Sequence, residues 1–295
     1  MSKSASKIRA PAVGAVLLQS MAGRWDAFGN QVARARKNPT ERTIHDLRVA
    51  TRRLIATLDI VGTALPGGAC RRSRRQLKRY LRAFSTLRDL QVQIIAVREL
   101  AVRFPFLQPF LTVLMVRETL LVKRSRREVF AIQMTPMERE VSAAGHRLES
   151  LLADPVMADA ARSAVLGALG SAFVRAGGLK AGAMTGKTNR IHRFRIAFKR
   201  FRYTLEALQP LLHDATGEVL KAMNRYQVMM GEIQDVDVLE SMVSIFARRR
   251  ARSAPVQSLR LKEHLADRRK DLITRFIASA GEFDRFWRDS SPPGC

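Results

Sequence analysis

The stretch IHDLRVATRRL at residues 44–54 matches the stretch IHRFRIAFKRF at residues 191–201, at an offset of 147 positions. At about 100° of rotation per residue, each stretch forms a helix whose apolar and basic side chains fall on opposite sides. The two stretches therefore predict two copies of one amphipathic helix, each with one side in a protein core and one side that carries positive charge. The predicted core-facing residues are Leu47, Thr51, Leu54 and Leu58 in the first copy and Phe194, Phe198, Phe201 and Leu205 in the second.

The match between the two copies continues into the next predicted helix. LRDLQV at residues 87–92 matches IQDVDV at residues 233–238, at an offset of 146 positions, so a single position has been lost between the two matching blocks. A match of this length indicates two copies of one helical unit. We place repeat one at residues 11–152 and repeat two at residues 155–288, with Asp154-Pro155 as the boundary between them.

The rest of the chain also follows the helical period. Apolar residues recur every three or four positions, and no sustained alternation indicates a β-strand. We therefore predict an all-α protein, with helices that end where proline or glycine interrupts the pattern. The predicted stops are Asn38-Pro39, residues 65–68, Phe104-Pro105, Thr135-Pro136, Asp154-Pro155, residues 177–188, Gln209-Pro210 and Ala254-Pro255.

The chain is strongly basic. Its 295 residues include 52 Lys and Arg against 26 Asp and Glu, which gives a formal charge of +26 and a pI near 11.5. The apolar fraction of 46% is that of a folded protein, so the charge lies on a globular body rather than on a disordered tail. Such a charge favours nucleic acid, an anionic membrane or another polyanion as the partner, and makes an acidic protein a less economical one.

Several other classes of protein are excluded. Cys70 and Cys295 form neither a disulfide framework nor a metal-binding CxxC motif. The most apolar run, residues 110–116, is much shorter than the roughly 20 residues that span a bilayer, so we expect no membrane insertion. The basic start resembles a signal peptide only weakly, because it runs into a predicted amphipathic helix. We expect a cytoplasmic protein with a disordered basic tail at residues 1–10 and a C-terminal tail at residues 289–295.

The basic sides of the two matching helices predict an anion site. Residues 190–203 contain no acidic residue, and residues 44–88 contain eleven basic residues against two acidic ones. Like charges at helical spacing cost a few tenths of a kcal/mol per pair, so keeping them in both copies indicates a binding role. Arginine dominates, and its planar fork suits phosphate oxygens. The next helix continues the basic face with Arg75, Arg79 and Arg82.

These two blocks resemble the CHAD family, the conserved histidine α-helical domain. The resemblance rests on His-x-x-Arg-x-x-x-Arg/Lys-Arg and the later (Arg/Gln)-Asp-(Leu/Val)-x-Val, and it covers residues 11–288. It implies two tandem antiparallel four-helix bundles related by a pseudo-twofold axis, with a basic groove between them that binds inorganic polyphosphate, and association with polyphosphate granules. The implied site comprises His45, Arg48, Arg52, Arg53, Arg75, Arg79, Arg82, His192, Arg195, Lys199, Arg200, Lys221 and Arg225.

The second half of the implied site is less basic than the first. Val228 stands at the position of Arg82, and Gln234 at that of Arg88. Two tyrosines near the basic helices, Tyr80 and Tyr226, suit either a phosphate or a backbone hydrogen bond. The run of arginines in residues 248–252 is typical of a solvated helix end more than of a binding tail.

No catalytic motif is present in the sequence. We find no P-loop, no HExxH, no nucleophile elbow, no Glu-x-Glu-x-Lys motif of a triphosphate tunnel and no carboxylate cluster for magnesium. We therefore predict a binding protein rather than an enzyme, with no catalytic residue, metal or cofactor. A nonspecific nucleic-acid-binding or architectural protein is the alternative, with weaker binding expected because stacking aromatics and base-reading amides are scarce. An enzyme of polyphosphate metabolism ranks third.

Overall fold

The structure is a computed structural model that describes residues 10–65, 67–212, 217–250 and 255–287. Within these ranges every long element is an α-helix, which confirms the all-α prediction. The predicted tails lie outside the described residues, except that Ala10 begins the first helix. The helices are α1 (Ala10–Lys37), α2 (Glu41–Ala64), α3 (Arg71–Arg103), α4 (Gln108–Phe130), α5 (Met134–Leu152), α6 (Pro155–Ala183), α7 (Thr188–Leu208), α8 (Gly217–Arg250), α9 (Pro255–Ala278) and α10 (Phe283–Phe286).

The order of helices occurs twice along the chain. Helices α1 to α4 contain 28, 24, 33 and 23 residues, and helices α6 to α9 contain 29, 21, 34 and 24 residues. A further helix, α5 or the short α10, follows each set. The near-equal lengths are compatible with the tandem bundles that the sequence match predicts.

Local capping fixes the ends of the helices that carry the site. The Thr40 hydroxyl accepts a hydrogen bond from the Thr43 amide, and the Thr43 hydroxyl accepts one from the Thr40 amide, so α2 begins with a capping box. After α2 the chain turns through Gly67 and Gly68, which both have positive φ angles that favour glycine. The Asp154 carboxylate accepts hydrogen bonds from two amides in the first turn of α6.

Two of the predicted helix stops are displaced. Helix α6 does stop within residues 177–188, but it passes through Gly177 and Gly178 and ends at Ala183. A Cβ at Gly177 would lie 3.6 Å from the ring of Phe283, an ordinary van der Waals contact, so the helix tolerates this glycine at its usual cost of about 1 kcal/mol relative to alanine. Pro136 lies in the first turn of α5, where its missing N–H has no helical acceptor to lose.

The two repeats share their cores. In the larger core, residues of repeat one such as Leu47 and Phe84 lie in the same cluster as Phe194, Phe198 and Phe201, which confirms that the phenylalanine side of α7 is a core surface. A smaller core joins the far ends of α3 and α4 to α8 and α9. Because both clusters contain side chains of both repeats, the repeats are packed on each other rather than linked as separate bodies.

One helical segment among the described residues, Pro105–Phe130, is long and apolar enough to cross a membrane by length and composition. Only 22% of its most apolar window is buried, and Val113, Val116 and Leu120 are exposed. Its other face packs in the cores through residues such as Leu114 and Val129. Core helices of soluble proteins meet the same criteria of length and composition, so one such segment is weak evidence for a membrane span. The absence of membrane insertion stays a prediction.

Candidate anion-binding site

Helices α2 and α7 pack against each other, and each brings half of a cluster of positive charges to their contact. Helix α2 contributes Arg48 and Arg52, and helix α7 contributes Arg195 and Lys199. After burial, the three arginines are the largest influences on the pKa of Lys199. We call these four residues the central cation cluster. Its members occupy matching positions in the two repeats.

The two matching arginines, Arg48 and Arg195, hold unused hydrogen-bond donors. Arg48 is 8% exposed, and the Nε atoms of both residues have no hydrogen-bond partner among the described residues. Burial, followed by the charge of Arg52, lowers the pKa of Arg48 to about 10, and burial also lowers the pKa of Arg195. A buried donor without an acceptor costs about 1–3 kcal/mol. The fold therefore holds two partly buried guanidinium groups whose Nε donors are unpaired in the free protein.

Lys199 is the most strongly perturbed base of the cluster. Burial lowers its pKa to about 7, with further contributions from Arg52, Arg195, Arg48 and Arg202. About half of the Lys199 side chains are therefore uncharged at neutral pH in the free protein. A polyanion at this position would favour the charged form and draw a proton onto Lys199.

Two carboxylates lie close to the cluster. Asp89 of α3 raises the pKa of Arg48, and Asp235 of α8 raises that of Arg195. Partial removal from water raises the pKa of Asp235 itself, an effect that outweighs the opposing influence of Arg195. These aspartates belong to the (Arg/Gln)-Asp motif of the sequence, which carried no assigned role for them. They offset part of the charge of the free site.

The matching histidines lie one turn before the arginines on α2 and α7, and both are partly buried. Burial, then the charges of Arg48 and Arg88, lower the pKa of His45, so His45 is neutral at pH 7. The Nδ1 atom of His192 has no hydrogen-bond partner among the described residues. Arg88 of α3, which the sequence did not place in the site, thus lies near His45, and its Nη1 atom is 3.2 Å from Oε1 of Glu41.

Arg53 is occupied by an internal ion pair. Its Nε atom lies 2.7 Å from Oε1 of Glu206, and Nη2 of Arg24 lies 3.5 Å from the same oxygen. Lys221 similarly pairs with Glu218, 2.8 Å away. The structure therefore brings together the partly buried members of the expected site at the contact of α2 and α7, whereas the other members are exposed on the surface. The exposed members are Arg53, Arg75, Arg79, Arg82, Arg200, Lys221 and Arg225.

Arg202 is a neighbour of the cluster that the sequence did not predict. It contributes to the lowered pKa of Lys199, donates hydrogen bonds to Gln227 and Asn224 on α8, and lies 4.6 Å from the ring centroid of Tyr203. The repeat comparison conceals Arg202, because its counterpart in repeat one is the apolar Ile55. Only the basic run at the middle of α7 could have indicated it.

Tyr80 and Tyr226 contact residues outside the central cation cluster. The Tyr80 hydroxyl donates to the backbone oxygen of Ala131 at 3.3 Å, which supports the backbone alternative. Tyr226 is fully buried among aromatic rings, and burial raises its pKa. Arg248 is exposed in α8, which ends at Arg250, and residues 251–254 lie outside the described ones.

The family model for the CHAD domain matches residues 19–244. The chain belongs to the CHAD family. The CHAD domain is also similar in fold to a solved structure, "Crystal structure of the CHAD domain from the plant Ricinus communis", with a TM-score of 0.65, 15% sequence identity and coverage of 91% of each chain. At this identity the likeness concerns the fold alone. No curated protein matches the chain.

The matched part of the CHAD domain includes the complete central cation cluster and both neighbouring aspartates. The CHAD family is associated with polyphosphate binding. Among the described residues, no three His, Cys, Asp or Glu side chains come together in a way that could hold a metal ion. What the cluster can do chemically is donate several charge-assisted hydrogen bonds to the oxygens of one anion.

Proposed function

We propose that this protein binds inorganic polyphosphate in a basic groove between its two repeats, at the central cation cluster. The observation that carries the proposal is the proximity of four cations, two from each repeat, at the contact of α2 and α7. A linear anion that lies across α2 and α7 would contact cations of both repeats at once. It would also reduce the repulsion between four neighbouring positive charges.

Binding would draw its free energy from several sources. Each arginine fork can grip phosphate oxygens through two parallel hydrogen bonds, and each neutralised phosphate releases counterions into the solvent. Lys199 would take up a proton as the anion arrives and then add its own charge. The exposed arginines of α3 and α8 would extend the positive surface along a longer chain.

Competition with nucleic acid tests this proposal against its alternative. We expect long-chain polyphosphate to remain bound when duplex DNA or RNA is added at equal phosphate concentration and about physiological salt, where nonspecific nucleic-acid binding is weak. Among the described residues, Tyr203 is the one aromatic side chain that lines the space beside the cluster, whereas single-strand-binding grooves stack successive bases on several rings. Displacement of polyphosphate by DNA would instead favour the nonspecific nucleic-acid-binding or architectural protein.

We also propose that the protein binds polyphosphate without turning it over and that it associates with polyphosphate granules in the cytoplasm. Incubation with polyphosphate and Mg²⁺ or Mn²⁺ should release no phosphate above a protein-free control. A fluorescent fusion should colocalise with granules, and a fusion with Arg48→Ala and Arg195→Ala should be diffuse. Phosphate release would contradict the first part, and unchanged granule localisation of the double variant would contradict the second.

A further inference from the structure

A cavity of about 360 Å³ lies beside the central cation cluster and is open to solvent. Its volume is in the range of small-molecule sites. Arg52 and Lys199 belong both to the cluster and to the cavity wall, so the cavity and the cluster are continuous. The apolar wall of the cavity includes Ile55, Ile60 and Ile196, and its polar lining includes Asp59, Thr63 and Thr204.

The two sides of the α2–α7 contact differ in their ion pairs, and a second cavity, of about 350 Å³, lies beside Arg24 and Arg53. On one side Arg53 pairs with Glu206, and Arg24 of α1 reaches the same carboxylate. At the matching positions on the other side stand Arg200 and Asp59, but Asp59 pairs with Arg74 of α3. Arg200 forms no ion pair with a described carboxylate. The wall from α6 is the small side chain of Ala168.

The two ends of the cavity differ in chemistry. Cations line the end at the central cation cluster, whereas apolar side chains and Asp59 line the rest. The hydroxyls of Thr63 and Thr204 donate to backbone oxygens of their own helix, at 2.7 and 3.0 Å, so their oxygens can still accept hydrogen bonds. An inorganic phosphate chain has nothing to bury against the apolar wall, and the Asp59 carboxylate would repel it.

A ligand that fits both ends carries phosphates on an uncharged, partly apolar body with hydroxyl or amino groups. The ring of Tyr203 lines the cavity and can stack on a flat base. Asp59 and the two threonines can accept hydrogen bonds from a sugar hydroxyl or a base amino group. We propose that the cavity binds the nucleoside part of a nucleoside polyphosphate, whose phosphates lie on Arg52 and Lys199. This ligand class goes beyond polyphosphate but rests on the same anion contacts as the proposed function.

The test compares two ligands with the same number of phosphates, ATP and inorganic tripolyphosphate, by calorimetry in metal-free buffer. We expect the wild-type protein to bind ATP at least about tenfold more tightly, equivalent to about 1.4 kcal/mol from the nucleoside. Ala168→Leu fills the cavity and should reduce the ratio of the two dissociation constants to about one, with tripolyphosphate affinity unchanged. Ala164→Leu is the matched control, because Ala164 lies one turn earlier on α6, is exposed and does not line the cavity.

A second variant guards against a folding defect in Ala168→Leu. Tyr203→Ala removes the stacking ring and should also reduce the preference for ATP, and circular dichroism checks that each variant is folded. Equal wild-type affinities for the two ligands, or a preference that survives both variants, would overturn the nucleoside site while leaving polyphosphate binding intact. If neither ligand nor long-chain polyphosphate binds, both the nucleoside site and the proposed function fail.

Discussion

The two halves of the central cation cluster carry different side chains at matching positions. The second cluster position on α2 is Arg52, and its counterpart on α7 is Lys199. An arginine keeps its charge at any physiological pH, whereas burial among cations lowers the pKa of Lys199 to about 7. A repeat therefore fixes where a positive charge is placed, but the residue type decides whether that charge is permanent.

The largest effect should come from the feature that the two halves share. We expect Arg48→Ala combined with Arg195→Ala to weaken polyphosphate binding at least about hundredfold, since each removes a charge-assisted hydrogen-bond donor worth about 1.5–3 kcal/mol. The slope of log affinity against log salt should fall by about 1.4, because two fewer phosphates are neutralised. Titrations at several salt concentrations measure both quantities.

The control for this double variant is Arg79→Ala combined with Arg225→Ala, which removes two exposed arginines from matching positions of α3 and α8. We expect a loss of affinity several-fold smaller than that of the Arg48 and Arg195 pair. An equal loss in the two double variants would show that binding follows total charge rather than the cluster.

The pH dependence of polyphosphate binding should show the difference between Arg52 and Lys199, the matching residues in the two halves of the central cation cluster. Above pH 7 free Lys199 loses its proton, so binding must take up a proton, and polyphosphate affinity should fall by up to about tenfold per pH unit between about pH 7 and 9. His45 does not contribute in this window, because its pKa is lowered from its ordinary value. Lys199→Arg should make the affinity nearly independent of pH. If the steep pH dependence of binding persists in Lys199→Arg, a group other than Lys199 causes it.

The stability of the free protein should respond in the opposite direction. The folded pKa of Lys199 is lower than its unfolded value, so the unfolded chain binds more protons between about pH 7 and 10 and stability rises with pH across that window. At pH 7, Lys199→Met should raise the Tm by roughly 2–4 °C for each kcal/mol that it adds to the free energy of unfolding. The same substitution should weaken polyphosphate binding. Thermal denaturation without ligand at pH 7 and pH 10 measures this, and a lower Tm for Lys199→Met at pH 7 would contradict it.

The smallest effect should come from Arg53. Because Arg53 is paired with Glu206 and partly exposed, Arg53→Ala should cost less than about 1 kcal/mol of stability. The polyphosphate affinity of Arg53→Ala should stay within about twofold of wild type. This change is smaller than the tenfold change that corresponds to about 1.4 kcal/mol of binding free energy. Denaturant titration and binding assays measure the two effects, with Arg200→Ala as the unpaired counterpart. A large loss of polyphosphate affinity in Arg53→Ala would show that Arg53 takes part in binding.

The sequence predicted the parts of the molecule that depend on helical angle. The core side of α7, with its three phenylalanines, and the opposite basic side both follow from the period of 3.6 residues. The ion pair of Arg53 does not follow from this period. Its position on α2 is that of a basic-face residue, and only the packing of α7 against α2 brings Glu206 to it.

Other features depended on neighbours that are distant in the sequence. Gly177 and Gly178 appeared to be helix breakers, but α6 continues through both of them to Ala183, because the packing of the whole helix outweighs the low helix propensity of single glycines. Asp89 and Asp235 were visible as a repeated motif, but their proximity to Arg48 and Arg195 arises from contacts between different helices. Arg202 lacks a basic counterpart in repeat one, so the comparison that revealed the rest of the site could not reveal it.

The sharing of both cores by the two repeats also limits how the protein can come apart. A separated repeat would expose to water the side chains that now contact the other repeat, so we expect the halves to unfold together in one cooperative transition. Arg48 and Arg195 come from different halves, and their relative placement is lost in that same transition. A bound anionic chain that contacts both halves would therefore stabilise them together. The unfolding temperature of the whole domain should rise as the concentration of the anionic chain rises.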